Sequence, residues 1–101
     1  MAKFQVLSSN FKVSTMVEHG TLAFFLNGEQ IIAARDSIDS KDMVLEPGEY
    51  EYQWQVNGTR NITRYSIRLL LNGTSIPKTG VGPRVLNGGD TDFSGGTITI
   101  I

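Results

Sequence analysis

The stretch that decides the fold is YEYQWQV, residues 50–56. Its aromatic and aliphatic side chains alternate strictly with charged or amide side chains. A period of two puts successive side chains on opposite faces of a β-strand. We therefore predict a half-buried strand that turns Tyr50, Tyr52, Trp54 and Val56 toward a core and its acids and amides toward water.

Residues 63–71 repeat this pattern, with Leu70 as the one apolar residue on the polar face. We predict that the two stretches pair as an antiparallel hairpin. A six-residue loop places Trp54 opposite Tyr65 and Glu51 opposite Arg68. A four-residue loop keeps the same faces, and a tight two-residue turn fits the cross-strand pairs least well.

The other predicted elements are shorter. Alternation indicates strands over 11–18 and 97–100, and a short one around residues 4–6. Asn27-Gly28 within residues 21–34 favours a β-hairpin, with a short capped helix as the alternative. Residues 77–96 hold two prolines and six of the 11 glycines, so we predict a long loop with one short strand over 83–86.

About seven to eight short strands in 101 residues indicate one all-β domain over residues 1–101, an antiparallel β-sandwich that is immunoglobulin-like or jelly-roll-like. Residues 45–52, LEPGEYEY, resemble the L-x-P-G-x-Y-x-Y turn into a strand of bacterial immunoglobulin-like sandwich modules. That resemblance implies that Leu45 and the tyrosines pack into the core on either side of the Pro-Gly turn. It supports the fold class and implies no function.

The composition argues against several kinds of function. A net charge of −1 and a pI near 5.7 speak against a nucleic-acid surface. With no cysteine and one histidine, His19, we expect an exposed turn residue at that position and neither a transition-metal site nor a cofactor. No nucleophile or phosphate-binding motif is present, so we expect a protein that is not an enzyme. No apolar run reaches membrane length and no leader is evident, which predicts no membrane contact and a cytoplasmic location by default.

The first functional hypothesis is a non-catalytic binding or protein-interaction module. Its predicted contact surfaces are the loop over 78–96, with Arg84, Asp90 and Asp92, and the hairpin around Phe25. Because that hairpin is apolar on both faces and Leu70 is apolar on a polar face, we expect a homodimer or a larger assembly, or another protein as the partner.

Two alternatives stay open at this stage. A self-assembling structural subunit of a bacterial or phage particle also fits a small β-protein with apolar patches. A carbohydrate-binding module would use the aromatic face with Trp54 and Tyr65, although core packing is the favoured interpretation of that face.

Calcium binding is a weaker hypothesis. Asp90 and Asp92 form a D-x-D pair, and Asp36, Asp39 and Asp42 recur every three residues. Carboxylates suit calcium, but neither group has the spacing of an EF-hand, so solvated turn carboxylates are favoured and no metal is expected.

Overall fold

The computed structural model describes residues 9–59 and 62–101, and within these ranges the chain forms nine strands. They are β1 (Ser9–Glu18), β2 (Gly20–Leu26), β3 (Glu29–Arg35), β4 (Ile38–Leu45), β5 (Gly48–Gly58), β6 (Ile62–Leu71), β7 (Thr74–Ser75), β8 (Val81–Asn87) and β9 (Thr91–Ile100). The strand expected around residues 4–6 lies outside the described residues. No helix that is long and apolar enough to cross a membrane occurs in the described part of the chain.

The strands form two antiparallel sheets. Sheet A has the order β4-β1-β6-β7, and β8 also pairs with β6; sheet B has the order β3-β2-β5-β9. The predicted all-β sandwich is confirmed, with nine strands where the sequence indicated seven to eight.

The core lies between the inner faces of the two sheets. Strand β5 contributes Tyr52, Trp54 and Val56, all buried, and β6 contributes Tyr65 and Ile67 among its buried residues. Every second residue of both strands is therefore inside, as the period of two predicts. Burying an aliphatic side chain such as that of Val56 or Ile67 contributes about 1.5–3 kcal/mol relative to leaving it exposed.

The predicted hairpin between these two strands is wrong. Strand β5 pairs with β2 and β9, whereas β6 pairs with β1, β7 and β8. Trp54 and Tyr65 do meet, with ring centroids 5.7 Å apart, but they do so across the core from opposite sheets. Two amphipathic strands can bury their apolar faces as neighbours in one sheet or as facing strands of two sheets. The alternation of apolar and polar residues is the same in both arrangements, so it does not distinguish them.

The predicted pairing of charges across that hairpin is wrong for the same reason. Glu51 lies on the outer face of sheet B, while Arg64 and Arg68 lie on the outer face of sheet A. Arg64 is instead the neighbour of Glu18 on β1, and Arg68 donates a 3.3 Å hydrogen bond to Ser75.

Residues 21–34 form the predicted hairpin and not a helix. Asn27 and Gly28 at its turn have φ values of 50° and 79°, the left-handed conformation that such turns require. Ile31 is an extra residue in β3, because Phe25 pairs with Gln30 while Phe24 pairs with Ile32. This bulge moves Ile32 and Ala34 to the buried face, while Ile31 is half-buried and packs against the core.

The connection from β4 to β5 crosses from sheet A to sheet B at residues 45–50. Leu45 is buried at the end of β4, and Tyr52 is buried two residues after the half-buried Tyr50. The Tyr50 hydroxyl donates a 2.8 Å hydrogen bond to the carbonyl of Glu46. A tyrosine that bonds back to the preceding backbone in this way is the tyrosine corner of many β-sandwiches.

The short strand predicted over 83–86 is confirmed, because it lies within β8, but the long loop predicted for the rest of residues 77–96 is wrong. Strand β8 covers 81–87, and β9 begins at Thr91. Gly95 and Gly96 lie inside β9, where their missing side chains make room for Tyr52. Glycine usually weakens a strand, but here the close approach of a neighbouring residue requires it.

Candidate functional site

The outer face of sheet B carries a shallow groove of about 540 Å3, which we name the sheet B groove. Its centre is a cross-strand row in which Phe25 of β2, Gln53 of β5 and Gly95 of β9 lie side by side. Phe93, two residues before Gly95 on the same face, leaves 74% of its surface exposed. The groove therefore has an aromatic ring on each side and a glycine at its floor.

Gly95 lines the groove and has no room for a side chain of its own. A Cβ atom there would overlap the carbonyl oxygen of Tyr52 and lie 3.1 Å from Cγ of Gln53. No alanine fits at such distances without a shift of β9. The gap between Phe93 and Thr97 is therefore fixed by the backbone.

The lining is mixed in chemistry. Gln53 and Gln55 contribute amides, Thr97 a hydroxyl and Glu51 a carboxylate, beside the two phenylalanine rings. Such a surface combines apolar contact area with groups that both donate and accept hydrogen bonds.

A second, shallower depression of about 370 Å3 continues from the groove across β2 and β3. Ala23 and Ala33 form its floor, since the two alanines pair across β2 and β3, and Gln55 lines both depressions. Arg35 stands at its far end, whereas Glu51 stands in the sheet B groove itself. The outer face of sheet B thus carries opposite charges at its two ends.

The β2–β3 turn is fastened to the strand that lines the groove. The amide of Asn27 donates to the carbonyl of Glu51 at 2.7 Å, and the amide of Glu51 donates to Oδ1 of Asn27 at 2.8 Å. These reciprocal bonds hold Phe25, two residues before Asn27, in register with β5.

Trp54 and Tyr65 do not lie on an accessible surface. They are 2% and 1% exposed, so the favoured interpretation, core packing, is confirmed. A sugar ring cannot stack on either of them in this conformation, which removes the aromatic face that the carbohydrate hypothesis used.

Tyr65, Arg84 and Asp92 are brought together where β9 crosses β6 and β8. The Tyr65 hydroxyl donates to Oδ2 of Asp92, and Nη1 of Arg84 lies 3.8 Å from the same oxygen. Burial, followed by the hydrogen bond to Asp92, raises the pKa of Tyr65 to about 12. The phenol therefore keeps its proton to a higher pH than an ordinary tyrosine, and the cluster joins sheet A to sheet B.

The acidic residues of the calcium hypothesis are spread over the molecule. Oδ1 of Asp36 accepts the amide of Gly20 at 2.9 Å, and Asp42 lies beside Lys12 on the outer face of sheet A. Asp90 is exposed, while Asp92 is half-buried and bonded to Tyr65. Within residues 9–59 and 62–101, no three His, Cys, Asp or Glu side chains come close enough together to hold a metal ion.

The two remaining residues lie away from the groove. Leu70 is half-buried on the outer face of sheet A, next to Lys12 and Ser75. His19 is an exposed turn residue with a φ of 60°, as predicted.

Phe93 and Gly95 are among the groove residues that sequence reasoning missed, because these two were assigned to a loop. One signal points to them. Every second residue from 91 to 99 is threonine, phenylalanine, glycine, threonine and threonine. These positions alternate with Ile98 and Ile100, which lie on the other face of the strand. Extending the terminal strand backward on that period would have found them.

No family model, no curated protein and no solved structure matches this chain. The resemblance of residues 45–52 to bacterial immunoglobulin-like modules therefore stays a prediction. What the fold and the site define is a β-sandwich with an aromatic-flanked groove on one outer face.

Proposed function

We propose that the protein is a non-catalytic binding module that recognises another protein through the outer face of sheet B. The observation that carries the proposal is the exposure of Phe93 beside the glycine floor of the sheet B groove. The Phe93 ring is 74% exposed and has space beside it. Its apolar surface is removed from water only when a partner covers it, and that removal is favourable.

The arrangement of side chains on this face resembles that of known protein interfaces. Aromatic residues supply the central contacts of such interfaces, and a polar rim surrounds them. Phe25 and Phe93 are the aromatic contacts here, while Glu51 and Arg35 are the charges toward the two ends.

The charges favour a partner of particular chemistry. Glu51 lines the groove, and Glu49 lies two residues before it on the same face of β5. A partner strand or loop with an apolar side chain for the gap at Gly95, and a lysine or arginine next to it, complements this surface. Opposite charges at a rim increase the association rate more than the affinity.

The experiment places a photo-crosslinking phenylalanine analogue at position 93 and, in a matched variant, at position 44 in the source cells. Val44 is the control because it is also exposed, at 63%, on an edge strand, but it lies on the outer face of sheet A. We expect a defined protein adduct at position 93 that is absent at position 44.

The identified protein is then purified and titrated with the wild type, Phe93→Thr and Val44→Thr. We expect Phe93→Thr to weaken binding about tenfold or more and Val44→Thr to change it less than twofold. A partner that binds the wild type and Phe93→Thr alike would overturn the proposal, and so would equal adducts at both positions. A glycan array is run in parallel, and a saccharide that binds the wild type but not Phe93→Thr would replace the protein partner by a carbohydrate.

A further inference from the structure

Strand β9 forms one edge of sheet B. Within the described residues it pairs only with β5, over a register that runs from Thr91 to Ile100. Along an edge strand of this length, alternate backbone N–H and C=O groups point away from the sheet and can pair with another chain.

The other edges in the described part of the chain carry features that discourage such pairing. Charged side chains lie along β4, namely Asp39, Lys41 and Asp42. Strand β3 has a bulge at Ile31 and charged residues at both ends. Strand β7 has two residues, and β8 contains Pro83, which has no N–H to donate. Charges, bulges, prolines and short length are the usual protections of an edge, and β9 has none of them along its outer face.

The charge pattern of β9 fits a second copy of the same strand. Its one charged side chain, Asp92, lies near the start of the strand and is bonded to Tyr65. An antiparallel pairing places Asp92 near the uncharged end of the neighbouring strand, around Ile98 and Ile100. A parallel, in-register pairing would instead set the two aspartates side by side, which is unfavourable.

We propose that two copies of the protein associate edge to edge through β9, in antiparallel orientation, and so join their B sheets into one continuous sheet. A two-fold axis perpendicular to the sheet relates the two copies, so the outer faces of both B sheets lie on the same side. The two sheet B grooves then lie next to each other, with Phe93 of each copy near the junction. This pairing uses backbone groups of β9 and does not depend on the partner proposed for the groove.

The test introduces a charge on the edge without disturbing the fold. Thr99 is exposed on the outer face of β9 and lies opposite Glu49, so the Thr99→Lys side chain gains an opposite charge within its own chain. The control is Ser40→Lys, an exposed outer-face position on the β4 edge. Thr97→Lys, opposite Glu51, is the second variant and replaces Thr99→Lys if that chain does not fold.

Sedimentation velocity is measured from about 10 μM to about 1 mM for each protein. We expect the wild type and Ser40→Lys to reach the mass of two chains, and the β9 variants to weaken association about tenfold or more. Hydrogen exchange of the wild type should show protection of alternate β9 amides that increases with protein concentration.

Three sedimentation results would overturn the proposal. They are a mass of one chain throughout this range, an association that the β9 lysines leave unchanged, and an equal loss in Ser40→Lys. Protection of the β9 amides that is the same at every concentration would mean that this edge is covered within one chain, and it would also overturn the proposal.

Discussion

The indole ring of Trp54 and the phenol ring of Tyr65 lie 5.7 Å apart at an angle of 50° and connect the two sheets through the middle of the core. Tilted aromatic pairs at such distances contribute about 0.5–1.5 kcal/mol beyond the area that they bury. The same phenol donates its hydrogen bond to Asp92 on β9. Tyr65 therefore links sheet A to sheet B twice, once by its ring and once by its hydroxyl.

Removing that hydroxyl should reduce stability. We expect Tyr65→Phe to lower the free energy of unfolding by about 1.5 kcal/mol, because a hydrogen bond to a charged acceptor is lost while the ring stays in place. In Tyr50→Phe, where the acceptor is the neutral carbonyl of Glu46, the loss should be about 0.5 kcal/mol. Urea denaturation measures both. If the destabilisations of Tyr65→Phe and Asp92→Ala simply add in the double mutant, the two side chains do not interact, and the hydrogen bond between them is not formed.

The strands and their buried faces could be predicted because alternation is a local property. Each residue of 50–56 shows by itself whether it faces inward, and the structure buries Tyr52, Trp54 and Val56 as expected. The choice of neighbouring strand is not local. Trp54 and Tyr65 are in contact in either arrangement, so the sequence predicted the contact and placed the strands wrongly.

The site was harder to predict than the core. The alternation of β9 is hidden by Gly95 and Gly96, which usually indicate a loop. They are strand residues here because the backbone and ring of Tyr52 occupy the space of their side chains, and Tyr52 belongs to a distant part of the sequence. The bulge at Ile31 likewise became visible only from the pairing of β2 with β3.

The turn residue Asn27 should be sensitive to two different substitutions. In Asn27→Gly the positive φ costs nothing, so only the side-chain bond to the amide of Glu51 is lost, and we expect a destabilisation of about 1 kcal/mol. In Asn27→Ala the left-handed backbone is strained as well, which should raise the loss to about 2 kcal/mol. Thermal and urea unfolding measure the stabilities of the two variants relative to the wild type. If Asn27→Ala is as stable as Asn27→Gly, the left-handed backbone at position 27 does not strain an alanine, and the prediction is wrong.

The glycine floor of the groove should not tolerate a methyl group. We expect Gly95→Ala to destabilise the protein by about 1–3 kcal/mol, because its Cβ would overlap the carbonyl oxygen of Tyr52 and force β9 away from β5. Thr97→Ala, on the same face of β9, should cost less than about 1 kcal/mol. Urea denaturation compares the two variants, and amide exchange along β9 reports the shift of the strand. Equal stabilities of wild type and Gly95→Ala would show that β9 can move away at no cost.

Alkaline pH should weaken the fold through Tyr65. Its pKa is 10.0 in an ordinary environment and about 12 in the folded protein, where burial and the bond to Asp92 favour the neutral phenol. Between these values the unfolded chain has lost the proton while the folded chain retains it, so the unfolded state binds fewer protons and stability falls as the pH rises. This contribution is complete below about pH 10 and is lost progressively up to about pH 12.

The comparison of wild type with Tyr65→Phe isolates this effect, since lysines and the other tyrosines titrate in both proteins. We expect the stability advantage of the wild type to be constant up to about pH 9.5 and then to shrink, with a limiting slope of about 1.4 kcal/mol per pH unit. Urea denaturation at a series of pH values measures the difference directly. An advantage that stays constant through this range would mean that the phenol ionises in the folded protein as easily as in the unfolded chain, and that the bond to Asp92 does not hold its proton.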